Sequence, residues 1–434
     1  MAAVQSNIHP LNAAHHTNKF QKYGWADYGG CCLWIANKRA SMSQTPFDIQ
    51  RAAVIGAGTM GRGIVMCLAN AGVSVQWVDN NAQMLEQALT TVAETYAHNV
   101  RQGRIDQAEA DARIARVTAA ADYPAIREVD LVIEAVYENL ELKQQIFREL
   151  DGLLKPEAIL ASNTSALDID AIAAATRRPQ QVLGLHFFSP AHIMKLLEIV
   201  RGAQTAPTVL KAALDLGRRM GKVSVVAGNC HGFIGNRMLN AYVLQARKML
   251  LEGAYPQQVD AALQGFGFAM GPFRMYDVVG IDLGWRARQL AGVGQDEPEV
   301  QVENRLCELG RFGQKSGNGY YHYEPGSRQA EHDVEVDALV LQVSEGLGYK
   351  RREPGPEESS SAACWRWSMK GRRSFRKALP SQPMTSIWCT SMATVSRQIK
   401  AGRWPGRISR AWRISMGGCC GSRLSKVSYG SRRG

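Results

Sequence analysis

The stretch RAAVIGAGTMGRGIVMCLANAGVSVQWVD, residues 51–79, decides the fold. It opens with an apolar run, residues 52–55, of a length suited to one buried strand of a parallel sheet. Gly56, Gly58 and Gly61 follow in G-x-G-x-x-G spacing. Residues 60–71 carry apolar side chains at helical intervals, and Gly72 stops that helix. Residues 73–78 alternate and branch like a second strand, which ends on Asp79. The three glycines provide, in turn, a tight turn, a bare backbone beside a pyrophosphate, and close packing of helix on strand. The helix N-terminus offers free N–H groups and a positive dipole end to phosphates. Asp79 falls where a carboxylate bonds the ribose hydroxyls, a position that favours NAD over NADP because a 2′-phosphate would meet a negative charge. A glycine triplet alone is weak; strand, turn, helix, second strand and acid in order are specific.

Outward from this stretch the chain is long, 434 residues, enough for two or three domains. No apolar run is long enough for a membrane span, and the N-terminal segment lacks the apolar core of a secretory signal. Nine cysteines without framework spacing suit a reducing compartment, so a cytoplasmic location is expected. The net charge of +12 is local: residues 355–434 hold sixteen Lys and Arg against Glu357 and Glu358. It therefore says nothing of nucleic-acid affinity in the body of the chain.

Taken in order, residues 1–46 show no sustained period and read as a disordered leader, with a natural start expected at Met42. After Asp79, residues 82–117 are helix-rich, with a break at Gly103 and a second helix over 106–116. Strands are expected over 130–136 (with one acid inside), 158–162, 182–188 and 196–200, and a helix over 140–154. From Gly228 alternation disappears: helices are expected over 233–251, 256–266 and after Gly271-Pro272, and NGYYHY, 318–323, is an aromatic ending. The fold class is thus α/β, a Rossmann-type dinucleotide-binding domain over 47–227, followed by an all-α domain over 228–325. Residues 326–358 read as a linker or the start of a second repeat.

Seven motifs then converge: GAGTMG at Gly56, EAVYENLELK at Glu134, SNTSAL at Ser162, GLHFFSP at Gly184, GFIGNRML at Gly232, GFGFAMGPFRMYDVVGID at Gly265 and GRFGQKSGNGYYHY at Gly310. In their order and spacing, residues 47–323 resemble the NAD-dependent 3-hydroxyacyl-CoA dehydrogenases, above all the dehydrogenase part of multifunctional β-oxidation enzymes. The resemblance implies oxidation of (S)-3-hydroxyacyl-CoA to 3-oxoacyl-CoA, with NAD as cofactor and an acyl-CoA as partner. A short-chain 3-hydroxybutyryl-CoA dehydrogenase is one alternative. A catalytically impaired NAD-binding protein is another.

His186 closes an expected strand, where ligands of open α/β sheets bind. Hydride departure from a secondary alcohol needs a base for the hydroxyl proton, and imidazole titrates near neutrality. Glu198, twelve residues on, can return beside the ring and fix its tautomer, as in a catalytic triad. Alone, one histidine in an apolar strand is more often a packed core residue; the resemblance gives this pair the catalytic role. It also places Ser165 and Asn236 around the substrate oxygen, although either can instead be a helix cap, Ser165 through a box with Asp168. Met60 joins the glycines and Asp79 as cofactor contacts. Glu138 and Lys143 match the nicotinamide end, although their spacing alone reads as a surface pair, and Ser189 stands where many relatives have asparagine. Arg101 and Arg104 are candidates for CoA phosphates. No metal-ligand cluster is present in the sequence, and no nucleic-acid or membrane partner is expected.

From residue 359 the chain stops behaving as a domain, with five of nine tryptophans and four of nine cysteines after Gly355. Shifting common codons for residues 363–371 by one base spells LLALVNEG. The same shift over 384–406 gives DIDLVYLNGYGFPADKGGPMAW. Both resemble the second C-terminal repeat of the multifunctional enzymes, so 359–434 is expected to be an out-of-frame tail. In those enzymes two helical repeats pack on one another. With the second one broken, a homodimer through the helical domain is one way to cover the exposed face. No hydratase domain precedes Met42, so hydratase activity is not expected.

Overall fold

The computed structural model describes residues 48–352 apart from residue 121. The leader before residue 48 and the tail from 353 onward lie outside the described residues. The chain divides into two units at residues 240/241.

In the first unit the opening stretch folds as β1 (Arg51–Ile55), α1 (Thr59–Asn70) and β2 (Ser74–Val78). Then come α2 (Ala82–Arg101), α3 (Gln107–Ile114), β3 (Val117–Ala119), β4 (Leu131–Glu134), α4 (Leu140–Leu153), β5 (Ile159–Ser162) and α5 (Ile169–Ala173). The unit continues with β6 (Val182–Phe187), β7 (Leu196–Arg201), α6 (Pro207–Arg219), β8 (Val223–Gly228) and the start of α7 (Gly235–Glu252). The eight strands form one sheet in the order β3-β2-β1-β4-β5-β6-β7-β8. All pairings are parallel except β6 with β7. The order reverses between β1 and β4, so a crevice opens beyond the carboxyl ends of these two strands.

Alternate strand residues feed opposite faces of the sheet. Ala52, Val54, Trp77, Ile133, Leu185 and Ile199 join one apolar cluster. Ala53, Ile55, Val78, Val132, Leu160 and Val200 join the other. Both faces are covered, which is why the strands read as near-continuous apolar runs. Each fully buried Ile, Leu or Phe contributes about 1.5–3 kcal/mol to this packing.

The strand expected over 196–200 runs antiparallel to its neighbour, which returns Glu198 beside His186. Three elements of this unit, β3, α6 and β8, lie outside the sequence reading. β3 is only three residues long, with two of them exposed, too short for a periodic signal. α6 and β8 went unread because VSVVAG, though apolar and partly buried, is short, and α6 supplied only Pro207 as a start signal.

The second unit is helical: the rest of α7, then α8 (Pro256–Phe266), α9 (Pro272–Val279), α10 (Asp282–Ala291), α11 (Gln301–Glu308) and α12 (Val334–Gly346). α8 begins on Pro256 with the Tyr255 N–H donating to Gln258 Oε1 at 2.9 Å, and it ends on Gly267 at φ 110°. The NGYYHY stretch is no loose ending. Asp277 Oδ1 accepts from Tyr320 N (2.8 Å) and Oδ2 from Tyr321 N (2.9 Å) and Tyr323 Oη (3.0 Å), tying the segment to α9. α12, in the region read as a linker or second-repeat start, is anchored by Ser344 Oγ donating to Leu251 O at 2.6 Å.

Candidate active site

Gly56 caps β1 at φ 109°. Its N–H donates to Val78 O (2.8 Å) and its carbonyl accepts from Trp77 Nε1 (2.9 Å). A side chain at Gly61 would meet that carbonyl at 1.9 Å, and one at Gly56 would meet Ala135 O at 2.7 Å. Gly58, by contrast, has open space where a side chain would stand. α1 has no side-chain cap at its N-terminus. Bare backbone, open space and unpaired helix N–H groups at the crevice of the sheet fit a dinucleotide pyrophosphate. Half-buried Met60 lies in the first turn of α1. Asp79, also half-buried, accepts from Ala57 N (2.6 Å) and Asn81 N (2.9 Å), which locks its carboxylate beside the glycine turn.

The pairing register of β6 and β7 sets His186 directly opposite Glu198. Both are buried, 5% and 1% exposed, and His186 Nδ1 lies 2.8 Å from Glu198 Oε2. The other carboxylate oxygen, Oε1, accepts from Ile234 N (3.0 Å) and Gly235 N (2.8 Å) at the start of α7. The helix dipole thus faces a carboxylate, a favourable arrangement. The turn that delivers these N–H groups passes through Gly232 (φ 68°) and Phe233 (φ 43°). A Cβ at Gly235 would lie 2.7 Å from Phe188 Cζ, so a side chain there would have to displace the ring that flanks the imidazole. Phe188 and Phe233 flank the imidazole, with ring centroids 4.4 and 5.7 Å away. A buried carboxylate on Nδ1 fixes the tautomer that leaves Nε2 with its lone pair.

Ser165 lies between β5 and α5. Its N–H and hydroxyl donate to Glu138 Oε1 (2.9 and 3.2 Å), and Thr164 Oγ1 donates to the same oxygen (2.7 Å). The cap of α5 is Asp168, accepting from Asp170 N and Ala171 N, so the capping role weighed for Ser165 does not hold. Asn236 donates from Nδ2 to Ser165 O at 3.3 Å, which brings both polar candidates together.

Glu138 and Lys143 are not the surface pair that spacing alone described. Lys143 is 1% exposed. Its ammonium sits 2.6 Å from Glu134 Oε1 and 3.4 Å from Glu138 Oε2. Glu134, fully buried at the end of β4, also accepts from Val136 N (2.8 Å) and Ser162 Oγ (2.7 Å). The sequence marked it only as an acid within an apolar strand. Asn163, likewise unremarked, accepts at Oδ1 from Phe187 N (3.0 Å) and ties the SNTS loop to the histidine strand. Ser189 is exposed and precedes Pro190. The turn after it is held by Lys222, which donates to Ala191 O and Met194 O (2.8 Å for the latter). Burial, then the Lys222 charge, keeps the neighbouring His192 imidazole below its usual pKa. Arg101 and Arg104 lie away from these groups in sequence and are exposed at the end of α2, with Arg104 donating to Asn99 Oδ1. Among the described residues there is no cluster of His, Cys, Asp and Glu able to hold a metal.

Family models agree with this geometry. The NAD-binding domain of 3-hydroxyacyl-CoA dehydrogenase matches residues 51–230, and the C-terminal domain of the same family matches 232–323. The chain belongs to the 3-hydroxyacyl-CoA dehydrogenase family. The cofactor of this family's first domain is NAD. The peroxisomal bifunctional enzyme of Danio rerio is 43% identical over 359 residues, 78% of this chain and 48% of that protein. This 3-hydroxyacyl-CoA dehydrogenase family chain therefore spans about half the length of the curated relatives it matches. Among solved structures, 3-hydroxybutyryl-CoA dehydrogenase from Escherichia coli is 36% identical, with a TM-score of 0.60 over 65% of this chain and 61% of that one. The dehydrogenase part of multifunctional enzyme 1 from C. elegans is 27% identical, with a TM-score of 0.58 over 80% and 75% of the two chains.

Proposed function

We propose that the protein oxidises (S)-3-hydroxyacyl-CoA to 3-oxoacyl-CoA with NAD. One observation carries the reading: the buried His186 imidazole bonded to a Glu198 carboxylate that is itself pinned by the first N–H groups of α7. With Nδ1 committed to Glu198, Nε2 accepts the substrate hydroxyl proton as the C3 hydride leaves. Glu198 then stabilises the imidazolium that forms. Ser165 and Asn236 hold the substrate oxygen through hydroxyl and amide groups. Gly56, Gly58, Met60, Gly61 and Asp79 hold the adenosine and pyrophosphate portions of NAD; Glu138, Lys143, Ser165 and Ser189 hold its nicotinamide end. NAD, when bound, supplies the hydride acceptor. The domain division of 47–227 and 228–325 goes with this assignment.

The test is reduction of acetoacetyl-CoA by wild type and by His186→Ala, with NADH binding measured in parallel. We expect kcat to fall about 10³-fold, within the range for removal of a triad base, while NADH affinity holds. NADH binding without turnover in the wild type would replace the reading with an impaired, cofactor-holding protein. The likeness to a 3-hydroxybutyryl-CoA dehydrogenase supports a short-chain preference as a second reading. Rates across acyl lengths separate the two. Among the described residues no helix is long and apolar enough to cross a membrane, and we place the protein in the cytoplasm, although relatives include peroxisomal enzymes. Exposed Val278, Val279, Leu283 and Leu290 on the helical unit support a second copy of this chain as partner there.

A further inference from the structure

We propose that Glu134 is a positioning residue for the nicotinamide end of the cofactor site, acting through Lys143; this rests on the reading that Glu138 and Lys143 line that end. Glu134 is the last residue of β4, at the point where the strand order reverses. Its carboxylate is 0% exposed, and all its partners are accounted for: Lys143 Nζ at 2.6 Å and Val136 N at 2.8 Å on Oε1, and Ser162 Oγ at 2.7 Å on Oε2. Lys143 is equally saturated, reaching Glu134, Glu138 Oε2 (3.4 Å) and Val136 O (3.4 Å).

Two carboxylates therefore share one buried ammonium, and the sharing is unequal. The shorter bond goes to the fully buried partner, Glu134, and the longer one to Glu138, which is 39% exposed. The consequence lies with Glu138. Because Lys143 is held back, Glu138 Oε1 stays with Thr164 Oγ1, Ser165 N and Ser165 Oγ. Ser165 O in turn receives Asn236 Nδ2. Without the Glu134 charge, the ammonium moves toward its remaining carboxylate and draws it off Ser165. A buried ion pair of this kind adds little stability over an apolar replacement, because desolvation offsets the attraction. What it supplies is placement.

Glu134→Gln is the informative change. The amide is isosteric: its oxygen can accept from Val136 N, and its nitrogen donates to Ser162 Oγ, reversing that bond, so the packing is kept while the charge that holds the ammonium is lost. We expect a melting temperature close to wild type. In fluorescence titration the NADH dissociation constant rises about tenfold, the scale of one charged hydrogen bond, and the KM for NAD rises with it. The KM for acyl-CoA rises by less, about threefold, because Ser165, released by Glu138, also holds the substrate oxygen. Lys143→Met weakens NADH binding as well, and Glu134→Gln/Lys143→Met is no weaker than Lys143→Met alone.

Unchanged NADH affinity in Glu134→Gln overturns the proposal. So do losses that multiply in the double variant, which would mean independent action. Should Glu134→Gln fail to fold, Ser162→Ala loosens the same carboxylate from its other oxygen. We then expect about a threefold rise in the NADH dissociation constant, part of the effect of one hydrogen bond to a charged carboxylate passed on through Lys143, and no rise overturns the proposal. NADH titration uses no acyl-CoA. A wild type that binds NADH with the expected coupling but turns over no acyl-CoA therefore refutes the enzyme reading and leaves this one standing.

Discussion

Glu198→Gln puts the imidazole–carboxylate couple to a quantitative test. The native carboxylate accepts on both oxygens: His186 Nδ1 on one, Ile234 N and Gly235 N on the other. A glutamine has one accepting oxygen and one donating nitrogen, so it satisfies only one side. Turning its nitrogen toward α7 would set it against two N–H donors. Each buried donor left unpaired costs about 1–3 kcal/mol, so this orientation loses about 2–6 kcal/mol. The amide oxygen therefore faces the helix and the –NH₂ faces Nδ1. Nδ1 must then accept, the ring proton moves to Nε2, and the lone pair needed for the substrate proton is gone. In a serine-protease triad the equivalent tautomer error costs about 10⁴-fold in kcat. Here we expect a fall of about 10³–10⁴-fold, or roughly 4–5.5 kcal/mol of barrier. NADH affinity stays within about twofold of wild type, because Glu198 lies behind the histidine, on the ring nitrogen turned away from the substrate, and its loss removes only transition-state binding. Loss of the carboxylate at the helix start costs about 1–2 kcal/mol of stability. The assay is acetoacetyl-CoA reduction followed by NADH absorbance, with the tautomer read by nitrogen NMR of the ring. A kcat loss under tenfold, or a ring still protonated at Nδ1, refutes the reasoning.

Two further outcomes follow from packing and charge. Gly61→Ala places a Cβ 1.9 Å from the Gly56 carbonyl, which Trp77 Nε1 already holds at 2.9 Å. We expect about 3 kcal/mol of destabilisation, the upper range for overpacking, together with weakened NADH binding; a variant that melts like wild type contradicts this. In the helical unit, burial pushes the Asp277 carboxyl up to about 7 from an ordinary 3.8, with Asp260 adding to the rise and three donors opposing it. The folded state then keeps a proton that the unfolded chain releases between those values. Stability from this group is full below the lower value, declines as pH rises toward 7, and is level above it. Urea denaturation of wild type and Asp277→Asn across this window should show the wild type losing ground as pH rises; a constant difference would sink the assignment.

By itself the sequence determined the first βαβ unit, the helical character after Gly228 and the family, because these rest on local periods and on glycines whose role is set by their own backbone. It also paired His186 with Glu198, twelve residues on, through the family resemblance and two short strands able to return on one another. The tertiary structure alone decided what each side chain faces. Glu134 became the anchor of Lys143 only when β4, β5 and α4 came together, and Ser165 lost its capping role because Asp168 was better placed. Likewise β3 and β8 exist through pairing with β2 and β7 rather than through any pattern of their own. The reason is physical: periodicity reports which face of an element is buried, whereas hydrogen-bond partners are fixed by distances between residues far apart in the chain.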